Sequence, residues 1–366
     1  MTQPVDLLAA LADIDPSSEL GQARIERHAA TRHAQGSYEV LFSEDDNDLP
    51  QQWRFALAAQ VAAWHGATRL QAHYQQQVND TPNDARFAAG HAFAELLSLH
   101  PVDANPQHIQ NLQSAGWTAR GIVTLAQLVA FVSFQSRLLA GLRLLNGEQT
   151  ETQPHAVAGK WHDAPLTLSG QTALTAFTQQ ELGWEPWLPA KPLSEFNAAE
   201  QATLEKNGHS DSDYFRLLAR NLPLLEQRTL TDKGIFYTSG GLSRAERELA
   251  ATVVSKVNGC IFCASVHARK ASQLSKDEPA VQKLLNVAPG AELSHGQSAR
   301  WAAIIDVVAT LSITPAATSL KQLQTLRDQG LSTLALLDVI QSAAFFAWAN
   351  RLMLTLGEPF LPVQQG

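Results

Sequence analysis

The chain has 366 residues, of which 45% are hydrophobic and 17% charged, and it carries a formal net charge of −8. That length suits two domains of ordinary size, and that composition excludes a disordered chain. The acidic balance, with no basic run longer than Arg269-Lys270, speaks against nucleic acid and anionic membrane surfaces as main partners and leaves small molecules or proteins.

The first twenty residues are acidic and lack both a basic n-region and a long apolar core, so they do not read as a secretory signal. No apolar run of about 20 residues marks a membrane span, and the expected location is cytoplasmic. Residues 1–35 hold one short amphipathic pattern, Leu7, Leu8, Leu11 and Ile14, followed by a polar, histidine-bearing stretch. They read as a loosely attached N-terminal arm. From about Glu39 the pattern is helical and alanine-rich, with Phe55, Leu57, Ala58, Val61 and Ala62 as a core-facing stripe. Almost nothing alternates at period 2, so the expected fold class is all-α.

An internal repeat organises the chain. Asp84-Ala85-Arg86-Phe87-Ala88-Ala89 matches Ser298-Ala299-Arg300-Trp301-Ala302-Ala303 at an offset of 214, and the same offset carries Pro101 onto Pro315, Gly116 onto Gly330, Gln127 onto Gln341, Phe131 onto Phe345 and Arg137 onto Arg351. A fainter match at an offset of 193 carries Arg54 onto Arg247 and Gly66 onto Gly259. The domains follow: a first copy over 36–150, a linker over 151–180 and a second copy over 181–366. The extra residues of the second copy, between about 272 and 296, read as a wall or lid near the site, or as a plain surface helix and loop. Leu182 to Pro189, rich in Trp and Pro, reads as a packed non-helical strap, with helical patterning resuming at Asn197–Lys206 and Tyr214–Arg228.

The chemistry concentrates in Glu248 to His267. Cys260 and Cys263 are the two cysteines of the chain, and with His267 they fall at i, i+3 and i+7, one face of a helix. Glu248 would lie roughly 22 Å from Cys263 on an unbroken helix, so it can join the site only if the chain reverses. Asn258-Gly259 suits that reversal, because both residue types tolerate the left-handed conformation that ends helices. Ser243 with Glu246 supplies a capping signature upstream. The reading is a helix over 244–257, a tight turn and a second helix opening near Cys260. Both thiols would then sit in its first turn, where the helix dipole favours thiolates. Such a pair beside a histidine and a carboxylate suits redox or nucleophilic chemistry. A structural disulfide, a zinc site built from Cys260, Cys263, His267 and Glu248, and two inert buried thiols are the competing readings.

Glu248, eleven residues, Cys260-x-x-Cys263, three residues and His267 resembles the active-site signature of the alkylhydroperoxidase D and carboxymuconolactone decarboxylase superfamily. The runs 213–227, 298–311 and 345–359 are similar to its peroxidase-related branch. The resemblance implies two tandem helical domains of that kind, with only the second active. It implies Cys263 as the cysteine that attacks peroxide, Cys260 as its resolving partner, and His267 with Glu248 as a proton relay. Phe262 stands where the best-studied members carry a further histidine. The first copy aligns Phe55, Ala67, Leu70 and Tyr74 with the four site residues, a scaffold without the chemistry. The resemblance also implies a hydroperoxide substrate, a lipoylated or thioredoxin-like dithiol reductant, no cofactor or metal, and a homo-oligomer. A lyase of the carboxymuconolactone type and a non-catalytic thiol redox sensor are the alternatives. His65, His73, His91, His100 and His295 read as surface or core histidines, and Phe345, Phe346 and Trp348 as core residues that could also line the pocket.

Overall fold

The computed structural model describes residues 6–43, 46–80, 82–148 and 156–362. It is all-α, with one short two-stranded ribbon among the described residues. The first half comprises α1 (Leu7–Leu11), α2 (Glu19–Glu26), α3 (His28–Phe42), the hairpin α4 (Gln51–Trp64) and α5 (Thr68–Gln75), then α6 (Ala85–Leu99), α7 (Pro106–Ser114) and the long α8 (Ala119–Leu145). After β1 (Gly183–Pro186), α9 (Ala198–Asn207) and α10 (Asp213–Leu218), the same order returns. It runs through α11 (Leu222–Phe236), the hairpin α12 (Arg244–Asn258) and α13 (Ile261–Ser275), α14 (Glu278–Leu285), α15 (Ala299–Ser312), α16 (Leu320–Asp328), α17 (Thr333–Thr355) and β2 (Gly357–Phe360).

The repeat extends to the capping residues. Asp84, Asn105 and Thr118 cap α6, α7 and α8, and at an offset of 214 Ser298, Ser319 and Ser332 cap α15, α16 and α17. Each side-chain oxygen accepts a backbone N–H of the first turn, so different residues deliver the same start signal. Counterpart helices also pack on each other, α3 against α11 and α8 against α17. α8 and α17 are long and apolar enough to cross a bilayer, but 100% and 94% of their apolar windows are buried inside the molecule. They are core helices, and the reading that no apolar run of that length exists is corrected to that extent.

Arginines lock the two halves together. Arg137 of α8 donates to the carbonyl of Ser312, the last residue of α15, at 2.9 Å and to the Thr314 hydroxyl just beyond it at 2.8 Å. Arg351 of α17 donates to the Ser98 carbonyl at the end of α6, at 3.0 Å. Each half thus satisfies the orphan carbonyls of the other's helix.

Residues 6–43 are not a loose arm. α3 sets Ala30, Ala34, Ser37 and Leu41 into the core, a stripe of small residues whose weak hydrophobicity hides it in the sequence. Arg27 is 2% exposed and grips Asp338 of α17 through Nε and Nη2 at 2.7 and 2.9 Å. Asp338 also accepts from Arg247 and from the Leu242 amide, both at 2.9 Å. The expected linker is equally engaged: Trp161 and Phe177 pack on Ile261, Ala264 and Ala268 of α13. The strap forms β1, antiparallel to β2 with Trp184 opposite Pro359, an exception to the absence of strand character.

Asp338→Asn leaves Arg27 and Arg247 buried without their shared counter-charge. Urea denaturation should show a loss of about 3–5 kcal/mol, and a loss below about 1 kcal/mol would mean the arginines do not depend on it.

Candidate active site

Three helices each present a pair of functional side chains at i, i+4, the spacing that puts neighbours on one face. α11 carries Arg228 and Asp232, α12 carries Arg244 and Glu248, and α13 carries Cys263 and His267. α12 ends where the sequence suggests. Gly259 adopts φ +77°, and a Cβ there would meet the Lys160 carbonyl oxygen at 1.9 Å, so the position excludes any side chain. Gly66 makes the matching reversal between α4 and α5 at φ +68°.

The reversal lays α13 back along α12 and brings Glu248 to His267. The imidazole Nδ1 lies 2.5 Å from Glu248 Oε2, while Arg244 Nε donates to Oε1 at 2.6 Å. Because a carboxylate only accepts, Nδ1 carries the hydrogen of that bond and Nε2 is the ring nitrogen not committed to Glu248. Glu248 is fully buried. Burial works to raise its pKa, but the hydrogen bond and charge of His267, together with Arg244, outweigh it and hold the carboxyl below the usual 4.5. The ring of His267 meets Phe346 edge-on at 4.3 Å.

Cys263 and His267 line a cleft of about 770 Å³. Its walls include Trp184, Tyr214, Phe262, Phe345 and Phe346, and its polar groups include Arg228 and Asp232. Both cysteines are free thiols. Cys260 caps the start of α13 and lines a smaller adjoining crevice, beside Gly259, Trp187 and Met353, with Phe262 and Met353 common to both cavities. The two thiols are nonetheless immediate neighbours; they differ in that Cys260 stands at the helix cap, where the backbone has not yet entered the helix, and Cys263 one turn further on. The expectation of a depressed thiol pKa fails at Cys260: burial pushes it well up, and the neighbouring Cys263 adds to the rise. Asn350, which donates to Ser255 Oγ at 3.1 Å and accepts from Asn258 Nδ2 at 3.1 Å, also hydrogen-bonds the Cys260 thiol.

Segment 272–296 forms no wall of the cleft. α14 packs its Val281 and Leu285 against Ala264, Ala268 and Ala271 on the rear of α13, and Lys256 Nζ donates to the Leu285 and Val287 carbonyls. The cleft's entrance belongs instead to 181–184 and 211–215.

In the first half, Phe55 and Tyr74 occupy the positions of Glu248 and His267. Phe55 stacks on Phe42 with centroids 4.8 Å apart, and Phe42 meets Tyr74 at 5.0 Å. The Tyr74 hydroxyl is bound to Gln135. Aromatic rings fill the space that holds the Glu248–His267 pair in the second half. His65 is buried against Ser133 at 2.8 Å, a core histidine as read.

Sequence reasoning missed Arg228, Asp232, Tyr214 and Arg244. Their i, i+4 pairs were visible, but many such pairs are solvent-exposed ion pairs, and only the packing of α11 on the hairpin turns them inward.

Residues 223–305 match the sequence model of the Carboxymuconolactone decarboxylase family. The match spans α11 to α14 and the first half of α15, and it includes Arg228, Asp232, Arg244, Glu248, Cys260, Cys263 and His267. Among solved structures, an uncharacterized peroxidase-related protein from Ralstonia eutropha JMP134, described as an alkylhydroperoxidase AhpD core, is similar at 18% identity and a TM-score of 0.37, over 45% of this chain and 86% of that one. Comparison with curated proteins gave no match.

The lowered pKa of Glu248 sets a pH dependence. The folded state binds this proton less readily than the unfolded chain, so the stability it contributes is complete above about pH 4.5 and is lost as pH falls through the lower folded value. Urea curves between pH 3 and 6 should show an acid-side loss in the wild type that is smaller in Glu248→Gln; parallel curves would overturn the assignment.

Proposed function

We propose that this protein is a thiol-dependent peroxidase that reduces organic hydroperoxides through Cys263, Cys260, His267 and Glu248. The observation that carries the reading is the Glu248–His267 pair, a 2.5 Å contact anchored on a fully buried carboxylate, with Cys263 on the same cleft wall. The match of residues 223–305 to the Carboxymuconolactone decarboxylase family model supports it.

The steps balance as follows. His267 Nε2 takes the Cys263 thiol proton, and the thiolate attacks the terminal oxygen of R–O–O–H. The O–O bond breaks, sulfur keeps the hydroxyl as a sulfenic acid, and the alkoxide leaves as R–OH with the proton from His267. The Cys260 sulfur then bonds to Cys263, displacing the hydroxyl as water. A dithiol donor, such as a lipoylated or thioredoxin-like protein, reduces the disulfide and is itself oxidised. Two features favour Cys263 for the first step: it lines the cleft, and burial works against ionisation of Cys260. Glu248 fixes the imidazole's orientation and stabilises the imidazolium between the two proton transfers.

Cys263→Ser should abolish hydroperoxide consumption. Cys260→Ser should consume one equivalent and stop as a sulfenic acid that dimedone captures. His267→Asn should slow thiol oxidation by about a hundredfold or more. Quantitation of thiols alongside a steady-state assay with dithiothreitol separates the alternatives: two thiols lost per chain without turnover marks a redox sensor, and no thiol change marks a lyase.

A further inference from the structure

The cleft holds a cation that the four-residue relay does not use. Arg228 is 5% exposed, and its guanidinium makes no hydrogen bond or ion pair among the described residues. Its Nε is buried without a partner. Aromatic rings surround it instead, with Cζ 5.1 Å from the Phe345 centroid, 5.8 Å from Trp348 and 6.0 Å from Tyr214. Every other fully or nearly buried arginine named above meets carbonyls or a carboxylate: Arg27 and Arg247 on Asp338, Arg137 on Ser312, Arg351 on Ser98. A buried guanidinium with five donors and little to bond is costly unless something enters to meet it.

Ring faces offset part of that cost, since each cation–π contact contributes on the order of 0.5–2 kcal/mol. They do not accept the in-plane N–H groups. Asp232, one turn along α11, also lines the cleft but forms no ion pair with Arg228. Burial raises the Asp232 pKa, with Arg228 and His267 acting against the rise. Other acidic groups stand at the mouth: Glu181, Asp211 and Asp213, the last paired with Arg216. These three are exposed and screened by water and salt, whereas Arg228 acts in a low-dielectric interior and dominates at short range.

We propose that Arg228 is an anion subsite that receives the carboxylate of an amphiphilic substrate, whose apolar body lies along Phe345, Phe346, Tyr214 and Trp184 toward Cys263. A planar guanidinium engages a carboxylate through two parallel N–H bonds, which fixes orientation as well as affinity. The favoured substrate is then an organic hydroperoxide that also bears a carboxylate, rather than hydrogen peroxide or a neutral alkyl hydroperoxide. The substrate assignment rests on the peroxidase reading, but the subsite itself can be tested without turnover.

The test is calorimetric binding of octanoate and of octanol, neither of which can oxidise a thiol, to the full-length wild type and to Arg228→Gln and Arg228→Lys. Octanoate should bind the wild type at least about tenfold more tightly than Arg228→Gln, with Arg228→Lys in between, and octanol should not distinguish the three. Equal binding of octanoate and octanol by the wild type overturns the proposal without recourse to any variant, and is the result expected if Arg228 serves only the Cys263 thiolate. Octanoate binding unchanged in a folded Arg228→Gln, verified by circular dichroism, overturns it too. Arg228-dependent octanoate binding in a protein whose thiols no hydroperoxide oxidises would sustain the subsite and sink the peroxidase reading.

Discussion

The two long helices α8 and α17 can be buried together only because each half completes the other's unfinished helix ends. Arg137 reaches the carbonyl at the end of α15, and Arg351 reaches the end of α6. A helix C-terminus carries unsatisfied acceptors and partial negative charge, and a buried guanidinium needs both. Removing both arginines from water is expensive. Burial lowers the pKa of Arg137 to about 9 and drives that of Arg351 well down, with the Arg137 charge adding to the latter. The cost falls on two halves at once and is offset by the same bonds at both sites. Separated halves would each hold an unmet cation and an unmet helix end, so the duplication works as one packed body.

On that shared frame α11, α12 and α13 carry the polar groups of the cleft and of the Glu248–His267 pair. In the first half the same three positions are filled by α3, α4 and α5, whose Phe42, Phe55 and Tyr74 close the space with stacked rings. The second half exchanges rings for Glu248 and His267, and the fold persists around either solution. Within these three helices the halves differ in a few side chains on a common backbone, which includes the left-handed glycine at each hairpin, Gly66 and Gly259. The site is therefore an insertion of polar groups into a region that could have been plain core.

Inside that region the electrostatics sort the groups by depth. Glu248, with no exposure, stays ionised because His267 and Arg244 together outweigh its burial. Cys260, equally hidden but with a thiol for a neighbour, is held neutral. Cys263 opens to the cleft, where Phe345 and Phe346 exclude water from one side. Two cysteines three residues apart in sequence thus face different surroundings, one at a helix cap and one a turn inside the helix.

The all-α class, the repeated order of helices and the hairpin reversal were legible in the sequence, because periodicity, repeated offsets and glycine spacing are local or pairwise signals. The meeting of Glu248 with His267 followed from Gly259 alone, since a short turn leaves adjacent helices little choice but to lie together. The docking of residues 6–43, the bracing role of α14 and the different cavities that the two thiols line were not legible. Each depends on which face of a helix meets a distant neighbour, and small residues such as Ala30 and Ala34 carry almost no signal of that choice. Arg228 is the sharpest case. In the sequence it is one arginine on a helix with no marked polar face, and only the packing of α11 against α10 and α17 makes it a buried charge facing a cleft, because burial is a property of the assembled surroundings and not of the residue.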